Sequence, residues 1–195
     1  MKIKKIPVGI LETNCYIISE ESECFVIDPG DDVEKIVKEI GILKIKYIIL
    51  THLHFDHIIA VSKLKSISGA KVLCHKEDLE ILDENLLQKN DIDKFINEGS
   101  ILEIENCKLK IIFTPGHTPG SICLYNPEQK VLFSGDSIFA GSIGVTHFKG
   151  GDFAKIKISI KEKLLTLPDD THVYPGHGPD FELGDYKKEI ESLLK

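Results

Sequence analysis

The stretch "IKYIILTHLHFDH", residues 45–57, constrains this chain more than any other. It opens as a short, continuous apolar run, the signature of a buried strand. That strand delivers the chain straight into His52, His54, Asp56 and His57, although the whole sequence holds only eight histidines. Three later stretches have the same build: "FTPGHTPG" with His117, "LFSGDSIF" with Asp136 and "VYPGHGPD" with His177. Each follows a strand-like run and sits in a glycine-rich turn, where backbone can bend and approach closely. Strand ends followed by loops are where a rigid scaffold holds functional groups.

The rest of the chain supplies a matching scaffold. "NCYIIS" and "ECFVIDPG" are β-rich runs closed by turn residues. "DDVEKIVKEIG" (31–41) starts in acids, repeats apolar residues at helical period and ends in glycine. "IIAVSKLKSIS" reads as a helix, "AKVLCH" as a strand, and residues 76–98 as a polar helical stretch. The second half repeats the plan. "ILEIENCKLKIIFTPGH", "SICLYNP" and "KVLFSGDSIF" are hairpin-like strands; residues 151–167 and "ELGDYKKEIESLLK" are helices. Strands followed by helices in each half predict two packed β-sheets with helices outside. At 195 residues, one domain spanning 1–195 is expected.

The counting of ligand-capable residues is informative. A catalytic zinc takes about three protein ligands plus water. His52, His54, Asp56, His57, His117, Asp136 and His177 are too many for one ion. They suit two ions about 3.5–4 Å apart that share a carboxylate and a water. In extended chain His52 and His54 point to one side, and a turn after His54 swings Asp56 and His57 toward a second ion. Imidazoles with carboxylates suit zinc, and also iron or manganese; the lack of thiolates argues against copper(I) or an iron–sulfur cluster. His75, His147 and His172 lack such a setting and read as ordinary residues.

Composition narrows the classes. The net charge is −7 and all 24 basic residues are lysine, so there is no arginine fork for a carboxylate or phosphate. An acidic chain without a basic face is a poor nucleic-acid binder, which disfavours a nuclease. The five cysteines are scattered and lack any C-x-x-C, as expected of buried thiols in a reducing cytoplasm. No apolar run reaches the roughly 20 residues of a membrane span. No secretory signal is expected either.

"THLHFDH", "PGHTPGS", "FSGD" and "YPGHG", in this order and spacing, resemble the metallo-β-lactamase superfamily. Within it the chain is similar to the compact hydroxyacylglutathione hydrolase (glyoxalase II-like) branch, from "NCYII" to "PGHGP". The resemblance implies an α/β fold, the αββα sandwich of two mixed sheets with outer helices and the metals at one edge. It implies that His52, His54 and His117 hold a first metal and Asp56, His57 and His177 a second, with Asp136 bridging. Asp28 of "VIDPG" matches a family position close to the site, and it is expected to orient a ligand histidine. The implied reaction is attack of metal-bound hydroxide on a small-molecule thioester, with Asp56 orienting the nucleophile or taking its proton, and two divalent ions, Zn2+ first among them, as cofactor. Phe55, Phe139 and Phe148 are candidates for the mouth of the site, and Lys149 for attracting a substrate carboxylate.

Departures from the family pattern set further expectations. Ile59 and Ala60 stand where two glycines are usual, which should reshape that side of the site. Val145 and His147 stand where the family carries an arginine and an aspartate. Larger relatives have a C-terminal helical domain that helps bind glutathione. This sequence ends 18 residues after His177, so no such domain and weak dependence on glutathione are expected. The same resemblance admits two alternatives, a mononuclear-iron persulfide dioxygenase and a non-enzymatic metal-binding protein. The sequence leaves the oligomeric state open.

Overall fold

A computed structural model describes residues 1–195. The first sheet is formed by β1 (Lys2–Val8), β2 (Thr13–Ser19), β3 (Glu23–Ile27), β4 (Lys44–Ile49), β5 (Lys71–Cys74) and β6 (Ile92–Phe95), in that order. β1, β2 and β3 pair antiparallel, and β3 to β6 run parallel. The second sheet contains β7 (Ile101–Ile104), β8 (Cys107–Phe113), β9 (Ile122–Asn126), β10 (Val131–Gly135), β13 (His172–Pro175) and β14 (Phe181–Glu182). Its order is β14-β13-β10-β9-β8-β7, with β10 and β13 parallel and the rest antiparallel. A two-residue hairpin, β11 (Ile138–Phe139) and β12 (Ser142–Ile143), leads away from β10.

Strand alternation divides the apolar residues into three layers, because neighbouring side chains on a strand face opposite ways. Tyr16, Ile18, Phe25 and Ile49 of the first sheet meet Leu109, Ile111, Leu124 and Phe133 of the second. Their neighbours Cys15, Ile17, Val26 and Ile48 face outward instead. There they are covered by α1 (Val33–Ile40) through Ile36 and Ile40, and by α3 (Val61–Ser68) through Val61 and Leu64. On the far side Cys123, Tyr125 and Leu132 are covered by two helical segments. One is α4 (Phe153–Ser159), continued as a π turn Ile160–Leu164; the other is α5 (Leu183–Leu193). This is the αββα sandwich the sequence predicts.

Two readings need correction. Residues 76–98 do not form a helix: they make short 3-10 turns at Lys76–Glu80 and Lys89–Asp91 and then strand β6. The segment has no sustained apolar period to bind a helix face, so pairing of β6 with β5 decides its conformation. The stretch after the histidines is not one helix but two: α2 (Phe55–Ile58) and α3, parted at Ile59 and Ala60. The five cysteines are all free and buried. No helix is long and apolar enough to cross a membrane.

Candidate metal centre

All the candidate ligands gather at one edge of the sandwich. β8, β10 and β13 run in the same direction, so the turns after them emerge together and carry His117, Asp136 and His177. β4 brings His52 and His54 to the same edge, and the first turn of α2 adds Asp56 and His57. Hydrogen bonds join the two sheets there. Ile122 N–H donates to Thr51 O at 2.9 Å, and Asn14 N–H to Gly176 O at 2.7 Å. The Asn14 amide donates to Pro175 O and Gly178 O at 2.9 and 3.0 Å, and Tyr16 OH to Pro175 O at 2.6 Å.

Three groups emerge whose ligand atoms lie within 4.8 Å of one another: His52, His54 and His117; Asp56, His57 and His177; and His52, His57 and Asp136. Asp136 lies between the first two. Its Oδ2 is 3.5 Å from His117 Nε2 and 3.6 Å from His177 Nε2, and its Oδ1 is 3.5 Å from His57 Nε2. Glycine makes this approach possible. A Cβ on Gly176 would overlap Asp136 Oδ1 and lie 2.9 Å from His57 Cε1.

The outer ring nitrogens of His52, His117 and His177 are hydrogen-bonded and that of His57 lies beside a carboxylate, which turns the inner ones toward the centre. His117 Nδ1–H donates to Val145 O at 2.7 Å, and His177 Nδ1–H to Leu11 O at 3.1 Å. His52 Nδ1 lies 3.1 Å from Thr51 Oγ1, whose hydroxyl donates to Asp28 Oδ2 at 2.6 Å. His57 Nδ1 is 3.0 Å from the same Asp28 oxygen, and Thr51 N–H donates to Asp28 Oδ1 at 2.8 Å. Such backing fixes the tautomer that leaves Nε2 free to ligate. Buried polar atoms without a hydrogen-bond partner concentrate here: His52 Nε2, both ring nitrogens of His57, His117 Nε2 and Asp136 Oδ1. Buried polar groups are ordinarily paired. A set of unpaired imidazole nitrogens and a carboxylate oxygen converging on one point fits a divalent transition metal.

Electrostatics separates the two ligand groups. Burial first, and then the neighbouring imidazolium charges, hold His52 well below its ordinary value, with His54 at about 4 and His117 at about 3. His57 goes the other way. Burial alone would lower it, but Asp136, Asp28 and Asp56 raise it to about 9. Burial also opposes the charged form of His177, yet Asp56 and Asp136 raise it. Burial would raise Asp56, but contact with His177, the His57 charge and the Thr13 hydroxyl, which donates at 2.8 Å, hold it well below the usual carboxylate range. Asp136 is raised, burial outweighing the pull of His57 and His177.

A cleft of about 370 Å³ opens over the centre. Leu11, Phe55, Ile81, Val145 and Phe148 give it apolar walls, and Lys149 stands at its rim with its ammonium donating to Glu80 O at 2.7 Å. Phe139 is outside this lining, its ring 6.4 Å from that of His177. Ile59 lines a separate small groove beside Phe55, so its bulk alters the surface next to the cleft. Val145 contributes through its backbone carbonyl, which any residue there would supply. His147 packs on Phe148 and does not reach the ligands. Sequence reading missed Thr13, whose partner Asp56 is 43 residues away, and Asn14, whose partners lie across the sandwich; polar residues opening a buried strand were the available sign.

A model of the metallo-beta-lactamase superfamily matches residues 8–177. A hydroxyacylglutathione hydrolase of Haemophilus influenzae, GloC, is 36% identical over 203 residues, covering 96% of each chain. Among solved structures, the BLEG-1 B3 metallo-beta-lactamase superposes with a TM-score of 0.87 at 33% identity, covering 100% of both chains. TTHA1623 in a di-iron-bound form superposes with a TM-score of 0.84 at 32% identity, covering 96% of this chain and 98% of that one.

Proposed function

The chain belongs to the metallo-beta-lactamase superfamily, and from that premise we propose that it is a hydrolase of small-molecule thioesters working with two divalent cations. The observation that carries the reading is the pair of three-residue ligand groups with Asp136 set between them. His52, His54 and His117 would hold one ion, Asp56, His57 and His177 the other, and Asp136 would touch both. Such a pair of ions supplies a water made acidic enough to ionise near neutral pH and a Lewis acid for the carbonyl oxygen.

The chain's own residues do the rest. Asp28 and Thr51 keep His57 and His52 in the ligating tautomer. Asp56 is a strong acceptor but a weak base, because its neighbours hold its carboxyl so low. Its work is therefore to orient the attacking water rather than to store a proton. The apolar walls of the cleft keep bulk water from the acyl group. A thiolate is a good leaving group and needs no dedicated acid, which suits a cleft whose only cationic side chain apart from the ligands is Lys149. Lys149 attracts a carboxylate as a point charge, without the fork of an arginine. The GloC relative supports thioester chemistry; the compact, arginine-free cleft supports weak dependence on glutathione.

The di-iron-bound form of the TTHA1623 relative supports iron as the alternative to zinc, and a mononuclear-iron persulfide dioxygenase is the second reading. The complete second ligand group favours hydrolysis. The deciding comparison is anaerobic zinc-loaded protein on a thioester series against aerobic iron-loaded protein on glutathione persulfide. Thioester cleavage without oxygen is expected. Oxygen uptake with persulfide, and no thioester cleavage under any metal loading, would overturn the hydrolase reading.

A further inference from the structure

Behind the centre lies a buried carboxylate that the mechanism does not use. Asp78, in the 3-10 turn after β5, is wholly shielded from solvent. Its Oδ2 accepts the Leu53 N–H at 2.8 Å, and its Oδ1 accepts the Gly120 N–H. Leu53 sits between His52 and His54, and Gly120 lies three residues beyond His117. One side chain therefore ties together the two segments that carry the first ligand group.

The arrangement is costly, which points to a use. No lysine or histidine pairs with Asp78, so its charge is buried against neutral donors, the Leu53 and Gly120 N–H groups and the Thr118 hydroxyl. Burial pushes the carboxyl up to about 6 in spite of these bonds. An apolar residue would avoid that penalty, but it would leave two buried N–H groups unpaired. Only a carboxylate offers two equivalent acceptors at this spacing. Gly120 is fitted to it: a Cβ there would lie 2.5 Å from Asp78 N and 2.7 Å from Oδ1.

We propose that Asp78 is a positioning residue that sets the separation of His52 and His54 from His117 and so shapes the first metal site. This rests on the two-metal reading above. The Leu53 and Gly120 bonds form within the protein scaffold itself, so they hold the segments of the first site in place before any ion arrives.

The test uses Co2+ added to chelator-stripped full-length protein, read by its visible absorption and by calorimetry. Asp78→Asn keeps one acceptor but turns an N–H2 toward a backbone N–H. It should weaken the first Co2+ site by about 10- to 100-fold, the usual effect of losing an outer-shell partner. The absorption bands of that site should shift while the second site keeps its affinity. A folded variant with both affinities and the spectrum unchanged overturns the proposal. Wild-type protein provides a measurement independent of whether the variant folds. In stripped wild-type protein the Leu53 and Gly120 amide protons should exchange slowly; exchange as fast as that of the exposed loop amides overturns the proposal too. Failure of the underlying reading looks different: wild-type protein that takes up no Co2+ removes the metal sites and the positioning role together.

Discussion

Metal loading should respond to pH at one ligand group and not at the other. His57 must lose a proton before it ligates, and its carboxylate neighbours raise it to about 9. At pH 7 a proton therefore competes with the second ion by about 100-fold, and at pH 8 by about 10-fold, one unit being worth about 1.4 kcal/mol. His54 at about 4 and His117 at about 3 are already neutral at pH 7, as is His52, so the first ion displaces no proton from its ligands. The sign follows: affinity for the second ion rises as pH rises toward 9, while affinity for the first stays flat. The assay is calorimetric titration of chelator-stripped protein with Zn2+ at pH 6.5, 7, 7.5 and 8, in buffers of different ionisation heat. The second step should tighten at least about 10-fold between pH 7 and 8 and release at least about one proton per ion at pH 7, because His177 of the same group is raised as well. Equal pH dependence of both steps, or no proton release, would refute the separation of the two groups.

Three substitutions probe other parts of the argument. Asp28→Asn keeps a residue type that tolerates the positive φ of 50° here, but its amide N–H2 faces His57 Nδ1 and favours the wrong tautomer; the second ion should bind about 10- to 100-fold more weakly, and wild-type affinity for both ions would count against the role. Asp56→Asn should lower kcat by at least about 100-fold with the fold intact; a folded, metal-loaded variant of full activity would remove Asp56 from the mechanism. Gly176→Ala forces a methyl against Asp136 and His57, an overpacking of about 1–3 kcal/mol that should lower Tm by roughly 2–12 °C and reduce metal content. An unchanged Tm and metal content would mean that the close approach does not matter.

Much of this was legible in the sequence because it rests on local patterns. Tyr16 and Ile18 face the inter-sheet core while Cys15 and Ile17 face α1 and α3, the alternation of a two-sided strand. The residues that gather at the sheet edge were legible because they follow apolar runs that end in turns. What escaped depends on distant partners. β1 hides in "KIKKIPV", where lysines on an edge strand mask the pattern, and only pairing with β2 reveals it. The 76–98 segment has its conformation set by β5 and by the contacts of Asp78 across to Leu53 and Gly120. Thr13 acquires meaning only once β2 lies beside the turn after β4, and Asn14 only once the sheets close.

Neither half of the chain owns a complete ligand group. His52 and His54 arrive on the first sheet and His117 on the second; Asp56 and His57 arrive with the first and His177 with the second. Any cation held by either group is thus a tether between the two sheets, and its affinity is partly a measure of how firmly they close. By mass action, an ion present at 1,000 times its Kd adds about 4 kcal/mol to the free energy of unfolding. A cell short of the ion would lose more than activity: the untethered chain opens more often, and its lifetime against proteases falls with its ion supply.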